Sequence, residues 1–212
     1  MQDLKYNRET LENGNFLPVV ESFYTIQGEG RHTGEATYFI RLAGCDVRCP
    51  WCDAKNTWNA TNFPVVAVEE IVSAVLSTAA PAVVITGGEP FKYPLGPLTM
   101  RLKERGLRIY AETSGSEPLS GEFDWICISP KSRVAPLQEN LKIANELKVV
   151  ISLLDDFSRA EQNAAMTAPD CLLYLQPEWG RMKEVMPLIV DYVKEHPRWL
   201  VSLQTHKFMD IP

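Results

Sequence analysis

Apolar residues recur in seven short runs along the chain, at 36–42, 82–86, 107–112, 124–129, 148–152, 171–176 and 199–204. Several runs are continuously hydrophobic rather than alternating between apolar and polar positions. A continuous apolar run of this length is typical of a parallel strand that is covered on both faces. The pattern therefore predicts a sheet of mostly parallel strands.

Helical patterns fit between some of these runs, at 68–78, at 95–105, at 155–166 and in a segment that ends at His196. Pro187 interrupts the last segment, so that helix is expected to kink or to begin there. The gap at 115–123 is too short and too rich in Gly, Ser and Pro for a full helix. Strand–helix alternation with some helices missing predicts an α/β fold, an incomplete barrel of parallel strands formed by a single domain over residues 1–212.

Polar residues follow five of the predicted strands, at 86–90, 112–115, 129–131, 176–177 and 204–207. One polar strand end alone is weak information, because turns are usually polar for backbone reasons. In parallel α/β proteins, however, ligands bind at the carboxyl edge of the sheet. Five polar strand ends therefore predict one concave, polar-lined site at that edge.

Composition and charge limit the class of protein. The 212 residues are 45% hydrophobic and 23% charged, as in an ordinary globular protein. The net charge is −6, from 21 basic and 27 acidic residues. Nucleic-acid-binding proteins usually carry a stripe of basic residues, and this sequence shows none. No apolar run is long enough to cross a bilayer and the N-terminus lacks a signal-peptide core, so we expect a cytoplasmic protein with reduced thiols.

Three of the five cysteines form a single motif, Cys-x3-Cys-x2-Cys, at Cys45, Cys49 and Cys52. A cubane iron–sulfur cluster needs four ligands, so three thiolates would leave one iron open to a non-protein ligand. A structural zinc site needs a closed set of four, and no histidine sits at zinc-finger spacing. The spacing favours a cluster over zinc. Cys127 and Cys171 lie in apolar runs and are interpreted as core packing.

These motifs resemble a known superfamily. The cysteine loop, with Trp51 just before its last cysteine, resembles the cluster loop of radical S-adenosylmethionine enzymes, and the Gly87-Gly88-Glu89-Pro90 segment resembles their methionine-binding turn. More narrowly, the chain is similar to the 7-carboxy-7-deazaguanine synthases of queuosine biosynthesis. The similarity runs from about Glu21 to Pro212 and includes the segments 24–30, 39–42, 52–53, 57–58, 85–90, 112–115, 129–131, 176–177 and 204–207.

The resemblance implies a [4Fe–4S] cluster on the three cysteines and S-adenosylmethionine on its fourth iron. It implies reductive cleavage of that cofactor, and a lyase that contracts the ring of 6-carboxy-5,6,7,8-tetrahydropterin with loss of ammonia. The residues it implies for S-adenosylmethionine are Trp51, Gly88, Glu89, Ser114, Ser129, Pro130, Lys131 and Gln176. Those it implies for the pterin are Ile26, Gln27, Gly28, Glu29, Arg41, Thr86, His206 and Pro212.

The side-chain chemistry of these positions suits such ligands. Gln27 and Glu29 offer acceptors for an amino-pyrimidinone edge, and Arg41 offers a fork for a carboxylate. Glu89 is expected to accept a hydrogen bond from the methionine ammonium. Trp51 has two open interpretations, contact with the adenine or packing over the cluster.

One position departs from the family pattern. Family members usually carry Thr or Ser after the Cys-Asp pair, and that hydroxyl ligates Mg2+; this chain has Ala54. A hard cation needs oxygen ligands, so Asp53, Thr57 or water would have to substitute. We expect a weaker Mg2+ requirement.

Rival functions remain open at this point. A glycyl-radical-enzyme activase shares the cysteine spacing, and a non-enzymatic iron–sulfur electron carrier or a zinc-stabilised binding module needs no S-adenosylmethionine. The resemblance further implies a homodimer and a flavodoxin or ferredoxin reductant, with neither nucleic acid nor membrane as a partner.

Overall fold

The computed structural model describes residues 8–212, which form one nine-stranded sheet. In chain order the strands are β1 (Phe16–Ile26), β2 (Ala36–Leu42), β3 (Val65–Ala67), β4 (Ala82–Gly87), β5 (Arg108–Thr113), β6 (Trp125–Ile128), β7 (Glu146–Ile151), β8 (Leu172–Pro177) and β9 (Trp199–Val201). The spatial order is β3-β1-β2-β4-β5-β6-β7-β8-β9.

Seven strands, β2 and β4 to β9, pair in parallel, whereas β1 runs antiparallel to both β2 and β3. Because β3 and β9 are the two ends of the strand order, the sheet is an open, partial barrel. The predicted fold class is confirmed, and each of the seven apolar runs overlaps one parallel strand.

Seven helices accompany the strands in the described part of the chain. They are α1 (Arg8–Leu11), α2 (Val68–Leu76), α3 (Gly96–Glu104), α4 (Gln138–Ile143), α5 (Asp155–Ala164), α6 (Met182–Glu195) and α7 (Thr205–Met209). Single 3-10 turns occur at Gly30–His32, Lys55–Trp58, Ala60–Asn62, Pro90–Lys92 and Trp179–Arg181. The described helices include none that is both long enough and apolar enough to cross a bilayer.

Some elements differ from the sequence prediction. The helix with Pro187 does not begin there; α6 starts at Met182 and contains the proline. Strand β1 was not predicted, because Pro18 and the polar pair at 21–22 interrupt its apolar run. Those two polar residues are exposed, which an antiparallel strand tolerates on its open face.

Two apolar clusters form the core. One lies between α2, α3 and the strands β1, β2, β4 and β5, and includes the fully buried Ile85, Leu98 and Leu102. The other lies between α5, α6 and the strands β6 to β9, and includes the fully buried Leu147 and Trp199. The opposite face of the parallel strands carries a smaller apolar cluster of Ala82, Val84 and Tyr110 with Phe39 and Trp125, beside polar side chains such as Glu112 and Lys148.

The segment 115–123 has no helix, as predicted, and a side chain of α4 holds it. Asn140 is 2% exposed, and its amide donates to the carbonyls of Gly115 and Glu117, both at 2.8 Å. The side chain thereby satisfies two carbonyls in a segment without regular structure.

We predict that Asn140→Ala destabilises the protein by about 1–3 kcal/mol, because two backbone carbonyls lose their donor. Urea unfolding of the variant and the wild type measures the change. Gln138→Ala on the same helix is the matched control, since Gln138 is exposed and its change should stay within about 0.5 kcal/mol. Equal losses in the two variants would contradict this role for Asn140.

Candidate active site

The cysteine loop begins directly after β2 and is tied to the 3-10 turn that follows it. The Gly44 amide donates to the Thr57 carbonyl at 2.6 Å, and the Cys45 amide donates to the Trp58 carbonyl at 3.2 Å. These bonds close the loop at its base, so its cysteines share one compact segment. Cys49 lies within that segment.

The thiols are partly shielded within one small apolar cluster. Cys45 and Cys49 are 8% and 7% exposed, and they pack with Trp51 and Cys52 in a small apolar cluster. Burial raises the pKa of the Cys49 thiol and the neighbouring cysteines raise it further, against the charge of Lys131. A low-dielectric setting near the cations Lys131 and Arg133 suits thiolates that are bound by a metal centre rather than exposed to water.

The Gly-Gly turn after β4 packs against the start of the cysteine loop. The Gly88 amide donates to the Leu42 carbonyl at 2.9 Å, and the Glu89 amide donates to the Gly44 carbonyl at 2.8 Å. A Cβ on Gly88 would lie 2.5 Å from the Gly44 oxygen and 2.8 Å from the Cβ of Cys45. Glycine is therefore required there by the neighbouring loop, before any ligand is considered.

The carboxylate of Glu89 is occupied by protein donors. It is 1% exposed and accepts hydrogen bonds from the Thr113 hydroxyl at 2.6 Å, from the Ser114 amide at 3.0 Å and from the Ser114 hydroxyl at 2.5 Å. The Phe91 amide donates to it as well, at 3.3 Å. Glu89 thus connects the end of β4 to the end of β5, and its carboxylate already accepts from four protein donors.

The segment between β1 and β2 crosses the interior of the barrel. Gln27 donates from Nε2 to Oε1 of Glu112 at 2.8 Å and accepts from the Glu29 amide at 3.1 Å. Oε2 of Glu29 lies 2.5 Å from Nζ of Lys148, and Oε1 accepts from Gln204 at 2.8 Å. The segment therefore meets side chains from β5, β7 and the residues after β9.

These contacts set the charges in the interior. Burial alone would raise the pKa of Glu29, but the charge and hydrogen bond of Lys148, with hydrogen bonds from Gln204 and Gln176, outweigh it and lower the pKa to about 2. Burial would lower the pKa of Lys148, but the carboxylates of Glu112 and Glu29 raise it well above its ordinary value. Both partners are charged at neutral pH.

Helix α7 lies against the same segment. A Cβ on Gly28 would be 2.2 Å from Nδ1 of His206, and the Thr205 amide donates to the Gly28 carbonyl at 2.9 Å. Burial lowers the pKa of His206, although Glu29 opposes the shift. His206 is therefore a neutral imidazole at neutral pH.

Two side chains connect α7 with the rest of the cavity mouth. Nζ of Lys207 lies 4.9 Å from the ring centroid of Trp179 and 3.7 Å from the carboxylate of Asp53 in the cysteine loop. Phe208 meets the Trp179 ring edge-on, with the ring centroids 5.3 Å apart. The carbonyl oxygen of Pro212 accepts from the Thr25 hydroxyl at 3.2 Å.

Arg41 on β2 has a protein partner. Its Nε donates to Oε1 of Glu21 at 2.7 Å, across the antiparallel β1–β2 pair. The Arg41 side chain is 26% exposed and Glu21 is 51% exposed, so this ion pair is open to water. Such a pair contributes little and yields readily to a better-placed carboxylate.

All these elements surround one cavity of about 250 Å³. Seventeen of the nineteen candidate residues in the three sets line it, including Cys45, Cys49 and Cys52; the two that do not are Glu89 and Pro130. Among the lining residues outside those sets are Glu112, Lys148, Trp179, Gln204 and Lys207. The cysteine loop and the charged interior thus face a common space.

Comparison with known proteins agrees with this arrangement. A family model described as the radical SAM superfamily matches residues 39–152. The 7-carboxy-7-deazaguanine synthase of Flavobacterium psychrophilum is 49% identical over 202 residues, covering 95% of this chain and 96% of that protein. That of Synechocystis sp. is 46% identical over 194 residues, with 92% and 93% covered. The chain belongs to the 7-carboxy-7-deazaguanine synthase family of the radical SAM superfamily.

A solved structure extends the comparison to three dimensions. The crystal structure of QueE from Escherichia coli matches with a TM-score of 0.81 at 28% identity, covering 95% of this chain and 99% of that one. The chain therefore shares its overall fold with that structure. Family membership disfavours the electron carrier and the zinc-stabilised module.

The cysteines suit the cofactor expected of a radical SAM protein. All three are free thiols that line the cavity, and a cubane takes one thiolate on each of three irons. Across residues 8–212, no three or more His, Cys, Asp or Glu side chains are gathered closely enough to hold a single metal ion. The donor set fits a cluster with one open iron.

The oxygen ligands expected for Mg2+ are sparse near Ala54. The Thr57 side chain is 1% exposed and donates to the Ala54 carbonyl at 2.7 Å, so its hydroxyl faces its own turn. Asp53 is 72% exposed and faces Lys207. Of the substitutes expected from the sequence, only Asp53 offers a side-chain oxygen toward the cavity.

Sequence reasoning missed Lys148. It is the first residue of a run that is otherwise apolar, 148–152, which is an unusual place for a lysine. A charged residue inside a predicted buried strand was the available signal, because such a side chain needs a buried partner.

We predict that Glu89→Gln destabilises the metal-free protein by about 1.5–3 kcal/mol, because an amide cannot accept from all four donors. Anaerobic urea unfolding of the reduced apoprotein measures the loss. The exposed Glu122→Gln serves as the control and should leave stability unchanged. If Glu89 served only a ligand, the apoprotein would be as stable as wild type.

Proposed function

We propose that this chain is a 7-carboxy-7-deazaguanine synthase. The reaction converts 6-carboxy-5,6,7,8-tetrahydropterin into 7-carboxy-7-deazaguanine and ammonia. One carbon–carbon bond closes the smaller ring, and the two carbon–nitrogen bonds of the expelled ring nitrogen break. The observation that carries the proposal is the shared cavity, in which a three-cysteine loop faces an interior lined by Gln27, Glu29 and His206. Its place is in the synthesis of queuosine and other 7-deazapurines.

Cys45, Cys49 and Cys52 would hold a [4Fe–4S] cluster, with S-adenosylmethionine on the open iron. When bound, this pair supplies a radical that abstracts hydrogen and is regenerated after turnover. The protein keeps the cysteine loop shielded by Trp51, which lies under Nζ of Lys131 at 5.4 Å from the ring centroid. Shielding excludes water from the reacting centre.

Residues at the strand ends would bind S-adenosylmethionine. Gly88 brings its backbone to the cavity wall, and Ser114, Ser129 and Gln176 place polar groups there. Lys131 donates to the Ser129 hydroxyl at 2.7 Å, so this pair is ordered before a ligand arrives. Glu89 and Pro130 act from outside the wall, Glu89 by fixing the backbone and hydroxyl of Ser114.

The opposite side of the cavity would bind the pterin. Glu29 remains a carboxylate, and with Gln27 it offers acceptors to the N–H groups of the amino-pyrimidinone edge. Arg41 exchanges its exposed partner Glu21 for the substrate carboxylate. Other lining groups of this part of the wall add polar or backbone contacts: Ile26, Gly28, Thr86, His206 and Pro212.

Further expectations from the family complete the proposal. The enzyme acts in the cytoplasm as a homodimer, and a flavodoxin or ferredoxin supplies the electron for each reductive cleavage. The absence of a basic stripe in a chain of net charge −6 supports a small-molecule substrate over nucleic acid.

We predict that anaerobically reconstituted protein, given a reductant, S-adenosylmethionine and the carboxypterin, forms 7-carboxy-7-deazaguanine and ammonia without stoichiometric cofactor loss. Chromatography of both compounds measures turnover. Cys45→Ala, Cys49→Ala and Cys52→Ala should abolish product, whereas Cys171→Ala in the apolar core should retain it. An inert pterin with intact cofactor cleavage would refute the proposal and favour a glycyl-radical-enzyme activase.

We predict that wild-type activity depends only weakly on Mg2+ and that Ala54→Thr makes the protein bind Mg2+ more tightly. A restored hydroxyl ligand should lower the Mg2+ concentration for half-maximal activity about tenfold, the effect of ~1.4 kcal/mol of binding. Activity is titrated with Mg2+ after chelation. Ala54→Val matches threonine in shape but lacks the oxygen, so it should not change the requirement. A steep loss of wild-type activity on chelation would contradict the prediction.

A further inference from the structure

Lys148 is a buried lysine that no part of the proposed mechanism has used. It lies on β7, is 3% exposed and lines the cavity. Its Nζ is 2.5 Å from Oε2 of Glu29 and 3.6 Å from Oε2 of Glu112. One ammonium therefore contacts carboxylates on two different elements, the β1–β2 segment and the end of β5.

The second oxygen of each carboxylate has an uncharged partner. Oε1 of Glu112 accepts from Gln27, and Oε1 of Glu29 accepts from Gln204. The two acids are thus oriented by neutral amides, while Lys148 is the cation they have in common. Carboxylates accept through up to four lone-pair positions, so each retains capacity for a ligand.

Several other ionisable groups lie near Lys148 and its two carboxylate partners. The titratable groups whose charges act on Lys148 or on its partners come from β5, β6, β7, the segment after β6 and α7: Glu112, Cys127, Glu146, Lys131 and His206. Burial lowers the pKa of Lys131, and burial also holds His206 neutral. Lys148 is the cation in direct contact with both acids.

We propose that Lys148 is a positioning residue that keeps Glu29 and Glu112 together as carboxylate anions facing the cavity. The site then accepts only an edge that presents N–H donors to both acids, as the amino-pyrimidinone of the pterin does. This inference rests on the proposed function for the identity of the substrate. It adds a specificity determinant on β7, remote from every motif in the sequence.

Removal of the ammonium changes what the acids can do. Two carboxyl groups in one buried site cannot both remain ionised without a cation, so the pKa of one rises toward neutrality. A protonated carboxyl donates a hydrogen bond where the substrate also donates, and binding is lost. In wild type the Glu29 anion persists until the pH falls to about 2.

The test compares three substitutions of Lys148 in the reconstituted holoenzyme. Lys148→Met removes charge and hydrogen bonds, Lys148→Gln retains a hydrogen-bond donor without charge, and Lys148→Arg retains the charge. We expect Met and Gln to raise KM about tenfold or more at pH 8, since one pKa step is a tenfold effect. We also expect a further loss of kcat/KM of about tenfold between pH 8 and pH 6, which wild type and Arg do not show.

Two controls separate this role from simple tethering. Lys103→Met removes a surface lysine paired with Asp124 and should leave KM and the pH profile unchanged. Cofactor cleavage without pterin should stay at the wild-type rate in all Lys148 variants, because the cysteine loop is unaltered. A Gln variant with the pH profile of wild type would overturn the proposal, since a hydrogen bond alone would then suffice.

Failure of the proposed function and failure of the role of Lys148 give different results. If wild type itself does not convert the carboxypterin, the synthase assignment fails, and the charge state of the acids can still be read from the pH dependence of pterin binding. If Lys148→Met fails to fold, the comparison of Gln with Arg decides. Turnover by wild type with identical pH profiles in Gln, Arg and wild type would refute the role of Lys148 alone.

Discussion

Charge inside a partial barrel determines how this chain folds around its cavity. The inner ends of the parallel strands carry acids that lie out of bulk water, and each must find donors there. Glu146 accepts from the backbone amide of Arg31 at 3.2 Å and from the indole of Trp125 at 3.0 Å. Glu112 and Glu29 use Gln27 and Lys148. Gln27 donates to Glu112 and the Arg31 amide donates to Glu146. The β1–β2 segment therefore has to enter the barrel to supply donors for these two strand carboxylates.

The same requirement explains why the cavity is polar on one side and sulfur-lined on the other. Residues 27–29 line the cavity and bring Glu29 into contact with Lys148. The cysteine loop and the Gly87-Gly88 turn form the opposing wall, joined by backbone hydrogen bonds. Glycine at 88 serves the contact between those two backbones. Ligand binding there uses a geometry that protein packing has already imposed.

Sequence patterns predicted most of the sheet because continuous apolar runs reflect burial on both faces, which only the parallel strands have. They did not predict β1, whose apolar residues are interrupted by Pro18 and exposed polar positions. The cysteine spacing and the polar strand ends located the cavity. They could not show that Glu89 is saturated, since its donors Thr113 and Ser114 lie more than 20 residues away. Nor could they pair Lys148 with Glu29, 119 residues apart.

The contact between Gly28 and Thr205 joins parts of the chain that are 177 residues apart, and it spans the gap that strand pairing leaves open. During synthesis on the ribosome, the cysteines emerge long before α7 does. A growing chain therefore presents its thiols to solvent and oxidants while the wall that shelters them is still missing. That wall becomes complete only when α7, the last helix, docks against Gly28.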